Sequence, residues 1–363
     1  MIFTYLLIAF AIVTGINCLY FLFFSKFSFS KHKTEANNSE PVSVIVYMKN
    51  QEDLLDEFIP KLINQKHSNF EIVLVNNASY DNTLDILERF QEENNIIKIV
   101  DVENNEAFWG SKKYALTLGI KKATHKKLLF ITPNTAELSE NWITETSKLL
   151  ANDNEIVVGY NNFKKSKGFA SLLMRYSRFQ STIQNFGIGA FTKPYRAWQN
   201  NLGFTSELFF ENNGYSSHMN VSYETENLFI KEAATSKNVI IASSKDSITY
   251  NKTFKFSEWF KNAKERLLSI KYYSPGVKLS LGLFFITQLL FWIGGIAGSI
   301  VFLNMYWFAL IAIRFLIVGI VIGKSAFKLC EKDLFYLFPF LEVINILMQS
   351  SIFISNIFSK PKR

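Results

Sequence analysis

Residues 1–24 contain no Asp, Glu, Lys or Arg and are dense in Leu, Ile, Phe and Tyr. About 20 apolar residues suffice to cross the hydrocarbon core of a bilayer, so a chain that carries this segment has to fold in two solvents. No basic residue precedes the run and no small-residue cleavage site follows it, so it reads as a retained anchor rather than a signal peptide. Three more apolar runs lie near the other end. Residues 279–303 are uncharged, 306–322 are interrupted only by Arg314, and 334–358 carry Pro339, Glu342 and Asn345. The expected organisation is an anchor at 1–24, a polar linker at 25–40, a large extramembrane domain at 41–275, a membrane region at 279–358 and a basic tail at 359–363. Pro339 and Glu342 leave the last segment open between a full span and a re-entrant one. A snorkelling side chain is expected for Arg314.

Basic residues flank the apolar segments: Lys26, Lys31 and Lys33 follow the first, and Lys261, Lys264, Arg266, Lys271 and Lys278 precede the second. By the positive-inside rule both flanks assign the large domain to the cytoplasm, beside a membrane crossed several times. The net charge of +8 is explained by these flanks facing anionic membrane lipid, so nucleic acid is not an expected partner. Cys18 and Cys330 lie in or beside the spans with no CxxC spacing, and His32, His67, His125 and His218 lack metal-ligand spacing.

Between the membrane segments the pattern becomes periodic. Strands are expected at 42–47, 71–75, 97–102, 127–131 and 155–160. Helices are expected from about Glu52, over 81–93 with Ser79 or Asp81 as cap, and over 111–123. Strand–helix alternation with short connections predicts an α/β fold, Rossmann-like, with a doubly wound and mainly parallel sheet. Residues 168–186 and 254–273 read as amphipathic basic-aromatic segments, either lying on the membrane surface or packed on the sheet.

Several stretches in this order resemble a known family. "PVSVIVYMKNQEDLLDEFIPKLINQKHSNFEIVLVNNASYDNT" is similar to the opening of family 2 glycosyltransferases. "SKKYALTLGIKKA" resembles that family's basic helix. "LLFITPNTAELSENWI" stands where the family has an Asp-x-Asp strand tip. "SEWFKNAKERL" resembles its interfacial helix. Together with the flanking spans, these resemble the membrane-bound, processive-synthase-like branch. The resemblance implies a GT-A fold and, if the protein is active, a nucleotide-sugar donor, most often UDP-linked, with Mg2+ or Mn2+ at the strand tip. It also implies a carboxylate acting as general base on a lipid-linked or polysaccharide acceptor.

Carried onto this chain, the resemblance implies donor contacts from Asn50, Glu52, Asn76, Asn77, Ser79, Asp81, Lys112, Asn134, Lys264 and Arg266, and a base at Glu226 or Glu224. The chain departs from the pattern at the metal position, where Thr132-Pro133-Asn134 supplies no carboxylate and Asn134 is the only metal candidate; the nearest acid, Glu137, is expected in the following turn. The acceptor motif "SYETENLF" leaves the base position open between Glu226 and Thr225. Two readings follow: a working transferase, with a divalent cation or none, and an inactive pseudo-glycosyltransferase serving as a scaffold or binding subunit beside a membrane protein partner. Asn76, Asn77 and Asn134 also suit plain turn roles. The two glutamates suit a helix start, and Lys112 and Lys113 a solvated surface.

Overall fold

The computed structural model describes every residue except 32–39, 104–110, 152, 220, 222–224 and 359–363, together with the side chain of His218. In chain order the elements are α1 (Ile2–Phe29), β1 (Val42–Met48), α2 (Glu52–Ile63), β2 (Phe70–Asn77), α3 (Thr83–Glu93), β3 (Ile97–Val102), α4 (Lys112–Lys122), β4 (Lys127–Ile131), β5 (Thr135–Leu138) and α5 (Trp142–Ser147). They continue with β6 (Ile156–Gly159), β7 (Asn161–Phe163), α6 (Phe169–Gly189), β8 (Leu202–Thr205), α7 (Ser206–Glu211), α8 (Thr225–Ala233), β9 (Val239–Ala242), β10 (Thr249–Asn251), α9 (Phe256–Leu268), α10 (Pro275–Val301), α11 (Met305–Lys328), α12 (Lys332–Tyr336) and α13 (Phe338–Phe358). Two compact units share them. One comprises Met1–Ser30, Lys165–Ala190 and Phe254–Arg363, and the other Lys31–Lys164 and Phe191–Thr253.

The second unit holds every strand found among the described residues. Its main sheet runs β3-β2-β1-β4-β8-β6-β9. The pairs β3–β2, β2–β1 and β1–β4 are parallel, whereas β8 is antiparallel to both β4 and β6. Near-continuous apolar runs in the central strands explain the burial on both faces. Val44, Val46, Ile72 and Leu74 meet Leu55, Phe58, Ile59 and Leu62 of α2 and Trp142 of α5 on one face. On the other face α4 lies so close that a methyl group at Gly119 would fall 2.5 Å from Val75 Cγ2, which requires glycine there. A smaller sheet, β5-β10-β7, was not legible in the periodicity; its strands are three or four residues long.

The strand order reverses beside β1. The chain lays down β1, β2 and β3 outward, then returns to place β4 on the other side of β1. Such a switch point opens a crevice beyond the carboxyl ends of the flanking strands, which is where open α/β sheets take ligands. Here those ends are Met48 of β1 and Ile131 of β4.

The first unit is helical. Four of its helices, α1, α10, α11 and α13, are long and apolar enough to cross a membrane. The fourth is one continuous 21-residue helix with Pro339 in its first turn, where the missing N–H breaks no helical bond. Arg314 does not reach outward as expected. It is 0 % exposed, and its guanidinium forms a two-pronged pair with Glu342, itself 1 % exposed, one prong measuring 2.7 Å. Arg314 Nε donates to Asn17 Oδ1 at 3.1 Å, Gln288 Nε2 donates to Glu342, and the ring of Phe291 lies 4.4 Å from the guanidinium carbon. Satisfying both charges inside the bundle avoids the cost of a lone ion in an apolar medium. The amphipathic segment α6 likewise packs on helices of this unit. Its Arg175 pairs with Glu331 and Asp333, Gln180 accepts from Asn345, and Phe186 packs edge-on to Phe27.

Replacing one member of the central pair leaves the other charged and unpaired. Arg314→Met should therefore destabilise the bundle by about 3–5 kcal/mol, read as a lower thermal transition in detergent. The double variant Arg314→Met/Glu342→Met should recover most of the loss; an equal fall in both would show that the pair does not cause it.

Candidate functional site

The crevice is edged by the turns that follow β1, β2 and β4. The first two turns brace each other. Asn50 lies in the left-handed region (φ 52°), as does Ala78 (φ 48°), a conformation that Asn tolerates and that costs Ala about 1–3 kcal/mol unless its surroundings enforce it. The enforcement is visible. Asn50 N–H donates to Ser79 Oγ at 2.9 Å, Tyr80 N–H donates to Asn50 Oδ1 at 2.9 Å, and Ser79 Oγ donates to Asn76 Oδ1. Glu52 N–H donates to Asp81 Oδ2 at 3.1 Å, while Asn82 donates to Glu52 Oε2 through its backbone N–H (2.8 Å) and its amide (2.9 Å). Burial alone would raise the Asp81 carboxyl; hydrogen bonds from Thr83 and from the Glu52 N–H hold it below its usual value. Asn50, Glu52, Asn76, Ser79 and Asp81 are thus brought together, with many of their polar atoms directed at one another. Helix α3 begins at Thr83, whose N–H donates to Asp81 Oδ1 at 3.2 Å.

Deeper in, Asn77 Nδ2 donates to Tyr47 Oη at 2.9 Å and Asn76 Nδ2 to Asp101 Oδ1 at 2.7 Å. Asp101 and Tyr47 were missed by the sequence reading. Only the parallel register, which sets Asn76 opposite Asp101, brings the first pair together.

On the far side, Lys112 opens α4 and its Nζ meets Glu226 Oε1 at 2.6 Å, 5.8 Å from the Tyr47 ring centre. Glu226 stands in the first turn of α8 with only 13 % of its side chain exposed. The buried Tyr215 phenol is pushed well above its ordinary range by burial and by the Glu226 charge. A candidate donor-side cation and a candidate base, 114 residues apart, therefore form one ion pair. Lys113 is no surface residue. It is 2 % exposed, its Nζ donates to Val221 O at 2.7 Å, and burial pushes its ammonium down to about 8 despite the pull of Glu226. Glu224 lies outside the described residues. Lys264 and Arg266 belong to α9, in the helical unit.

The tip of β4 is built from amides and hydroxyls. Asn134 Oδ1 accepts from Thr132 Oγ and, at 2.8 Å, from Asn200 Nδ2. The same Asn200 amide donates to Thr132 Oγ and to Asn251 Oδ1 at 3.2 Å. Asn251 in turn exchanges hydrogen bonds with the fully buried Asn161 at 3.0 and 3.3 Å. Lys252 N–H donates to the Asn134 backbone carbonyl at 2.8 Å, so the cluster ties the main sheet to β10. Glu137 falls within β5 instead of a turn and faces Lys164 at 3.2 Å. The residues at this tip do not fit a divalent cation: hard dications take carboxylate-rich oxygen sets, and the one candidate oxygen already accepts two hydrogen bonds. Among the described residues no group of three or more His, Cys, Asp or Glu could hold a metal ion.

An open, mainly parallel sheet with its crevice at the β1/β4 switch point and helices on both faces is the GT-A glycosyltransferase fold. Residues 43–210 match the family model "Glycosyl transferase family 2", so the chain carries a family 2 glycosyltransferase domain. Among curated proteins, it is 29% identical over 132 residues to the glycosyltransferase GlyG of Streptococcus pneumoniae, covering 36% of this chain and 42% of that one. It is 25% identical over 123 residues to a poly-beta-1,6-N-acetyl-D-glucosamine synthase of Staphylococcus aureus, covering 33% and 29%. The chain thus spans less than half the length of these relatives. Among solved structures, a mannosyltransferase from Pyrobaculum calidifontis in complex with GDP-Man and Mn2+ superposes with a TM-score of 0.58 at 15% identity, over 94% of this chain and 98% of that one. At that identity the likeness is one of fold.

Two outcomes follow. Asn200→Ala should cost about 0.5–1.5 kcal/mol, the net worth of the hydrogen bonds its amide makes to Thr132, Asn134 and Asn251. Asn200→Asp should cost more, since it aims carboxylate oxygens at the acceptors of Asn134 and Asn251; thermal melts of the two variants test the order. For Lys113, the folded value near 8 lies below the ordinary 10.5. Between those values the unfolded chain binds the proton that the folded chain has released, so stability rises with pH across the window. Lys113→Met should remove that rise in pH-dependent melts.

Proposed function

We propose that this chain is a membrane-anchored glycosyltransferase that moves a sugar from a nucleotide-sugar donor to a lipid-linked or polysaccharide acceptor at the cytoplasmic face of a bacterial inner membrane. The observation that carries the reading is the Lys112–Glu226 pair beside the tip of β1. It sets a carboxylate and an ammonium at the ligand-binding edge of a family 2 domain. The basic flanks of the apolar helices support the cytoplasmic side, and the polysaccharide synthase among the relatives supports the acceptor class.

In this reading the braced turns at Asn50–Glu52 and Asn76–Asp81 form the rim on which the nucleoside rests, with Tyr47 and Asn77 beneath. Glu226 takes the proton of the acceptor hydroxyl as its oxygen bonds to the anomeric carbon. The bond from that carbon to the diphosphate oxygen breaks, and the nucleoside diphosphate leaves with the electron pair. Lys112 holds Glu226 through Oε1 and supplies positive charge at the same edge. A general base of this kind contributes about 10²–10⁴-fold to rate.

A second reading, that of a binding subunit without catalysis, is favoured by the neutral β4 tip. One experiment separates the two. The full-length protein in detergent is titrated calorimetrically with UDP, UDP-GlcNAc and GDP-mannose, and transfer to lipid and glycan acceptors is followed in parallel. Donor binding with transfer that drops about 10²–10⁴-fold in Glu226→Gln at unchanged donor affinity is expected. Binding without transfer would select the second reading, and no binding of any donor would overturn both.

A further inference from the structure

The β4 tip ends where a cation-dependent transferase needs carboxylates, and its chemistry here is uniform. Thr132, Asn134, Asn200 and Asn251 contribute only hydroxyl and amide groups, and these satisfy one another. Three facts bear on what such a cluster can hold. Asn134 Oδ1, the side-chain oxygen at the expected metal position, already takes a hydroxyl and an amide hydrogen. The amide that reaches it, Asn200 Nδ2, presents partial positive charge to the position a cation would take. The carboxylates on neighbouring elements are also committed: Glu137 faces Lys164, and Glu57 is gripped by Lys252 and Lys61, which hold its carboxyl down at about 2. Three lysines against two glutamates leave this edge positive, the wrong sign for recruiting a dication.

We propose that the strand-tip site works without a bound divalent cation, and that the amide cluster stands in the cation's place as a fixed clamp joining β4 to the small sheet. A donor diphosphate then meets protein ammonium groups instead of a metal. The relevance of this to transfer rests on the function proposed above; the cation measurement itself does not.

The test titrates Mn2+ into the full-length protein in detergent and follows free Mn2+ by electron paramagnetic resonance, alone and with UDP present. The free-ion signal is expected to match that of buffer, or of UDP alone, at every step. Loss of one equivalent of signal per chain, restored by Asn134→Ala, would overturn the proposal. A parallel melt of the wild-type protein needs no variant: Mn2+ should leave its thermal transition unmoved, and a rise with Mn2+ concentration would signal a bound ion and count against the proposal. If any donor binds, its affinity should change by no more than about twofold between Mn2+ and EDTA, where a metal-bridged diphosphate would lose far more. If no donor binds at all, the functional reading falls while the Mn2+ result still stands or fails by itself.

Discussion

A guanidinium and a carboxylate sealed among Phe21, Phe291 and Phe315 set the terms for the helical unit. Neither Arg314 nor Glu342 can be left alone in that setting, because an unpaired ion there costs several kcal/mol. Each therefore fixes the other's depth and rotation. Asn17 and Gln288 add the remaining hydrogen bonds, so α1, α10, α11 and α13 are all tied to one point. Apolar packing alone would leave such helices free to slide, since lipid tails and leucine side chains are alike in polarity.

The domain with the sheet is organised by the opposite logic. Its core is largely apolar on both faces, and a set of polar residues braces the turns at the carboxyl ends of the strands. There the first two turns hold one another through Asn50, Ser79, Glu52 and Asp81. The left-handed backbone at Ala78 is kept by that mutual bracing. Strain maintained by surrounding contacts is common at ligand-binding edges, and here it sits where the strand order reverses.

Much of this was legible in the sequence. Strands such as 42–47 and 127–131 announced themselves as short apolar runs, because a strand covered on both faces carries no polar side. The spans were legible from the lack of charge. Four things were not. The small sheet has strands too short to show a period. Asp101 and Asn200 gain meaning only from register and from long-range return of the chain. Arg314 was misread because a sequence shows the charge in a span but not the partner 28 residues on that keeps it inside. Lys113 was misjudged for a similar reason: two adjacent lysines look alike, yet Lys112 turns to Glu226 and Lys113 to the backbone carbonyl of Val221.

The pairing of Arg175 with Glu331 has a consequence for synthesis. The two residues are separated by 156 positions, and chains emerge at about 5–20 residues per second. Arg175 is therefore made some 8–30 seconds before its carboxylate exists, and α6 must wait that long, basic and half-apolar, for its final place. Gln180 waits longer still, for Asn345. The helical unit can close only after nearly the whole chain has been translated, so a ribosome stalled in the last spans leaves an exposed, cationic α6, an early mark by which an unfinished molecule differs from a finished one.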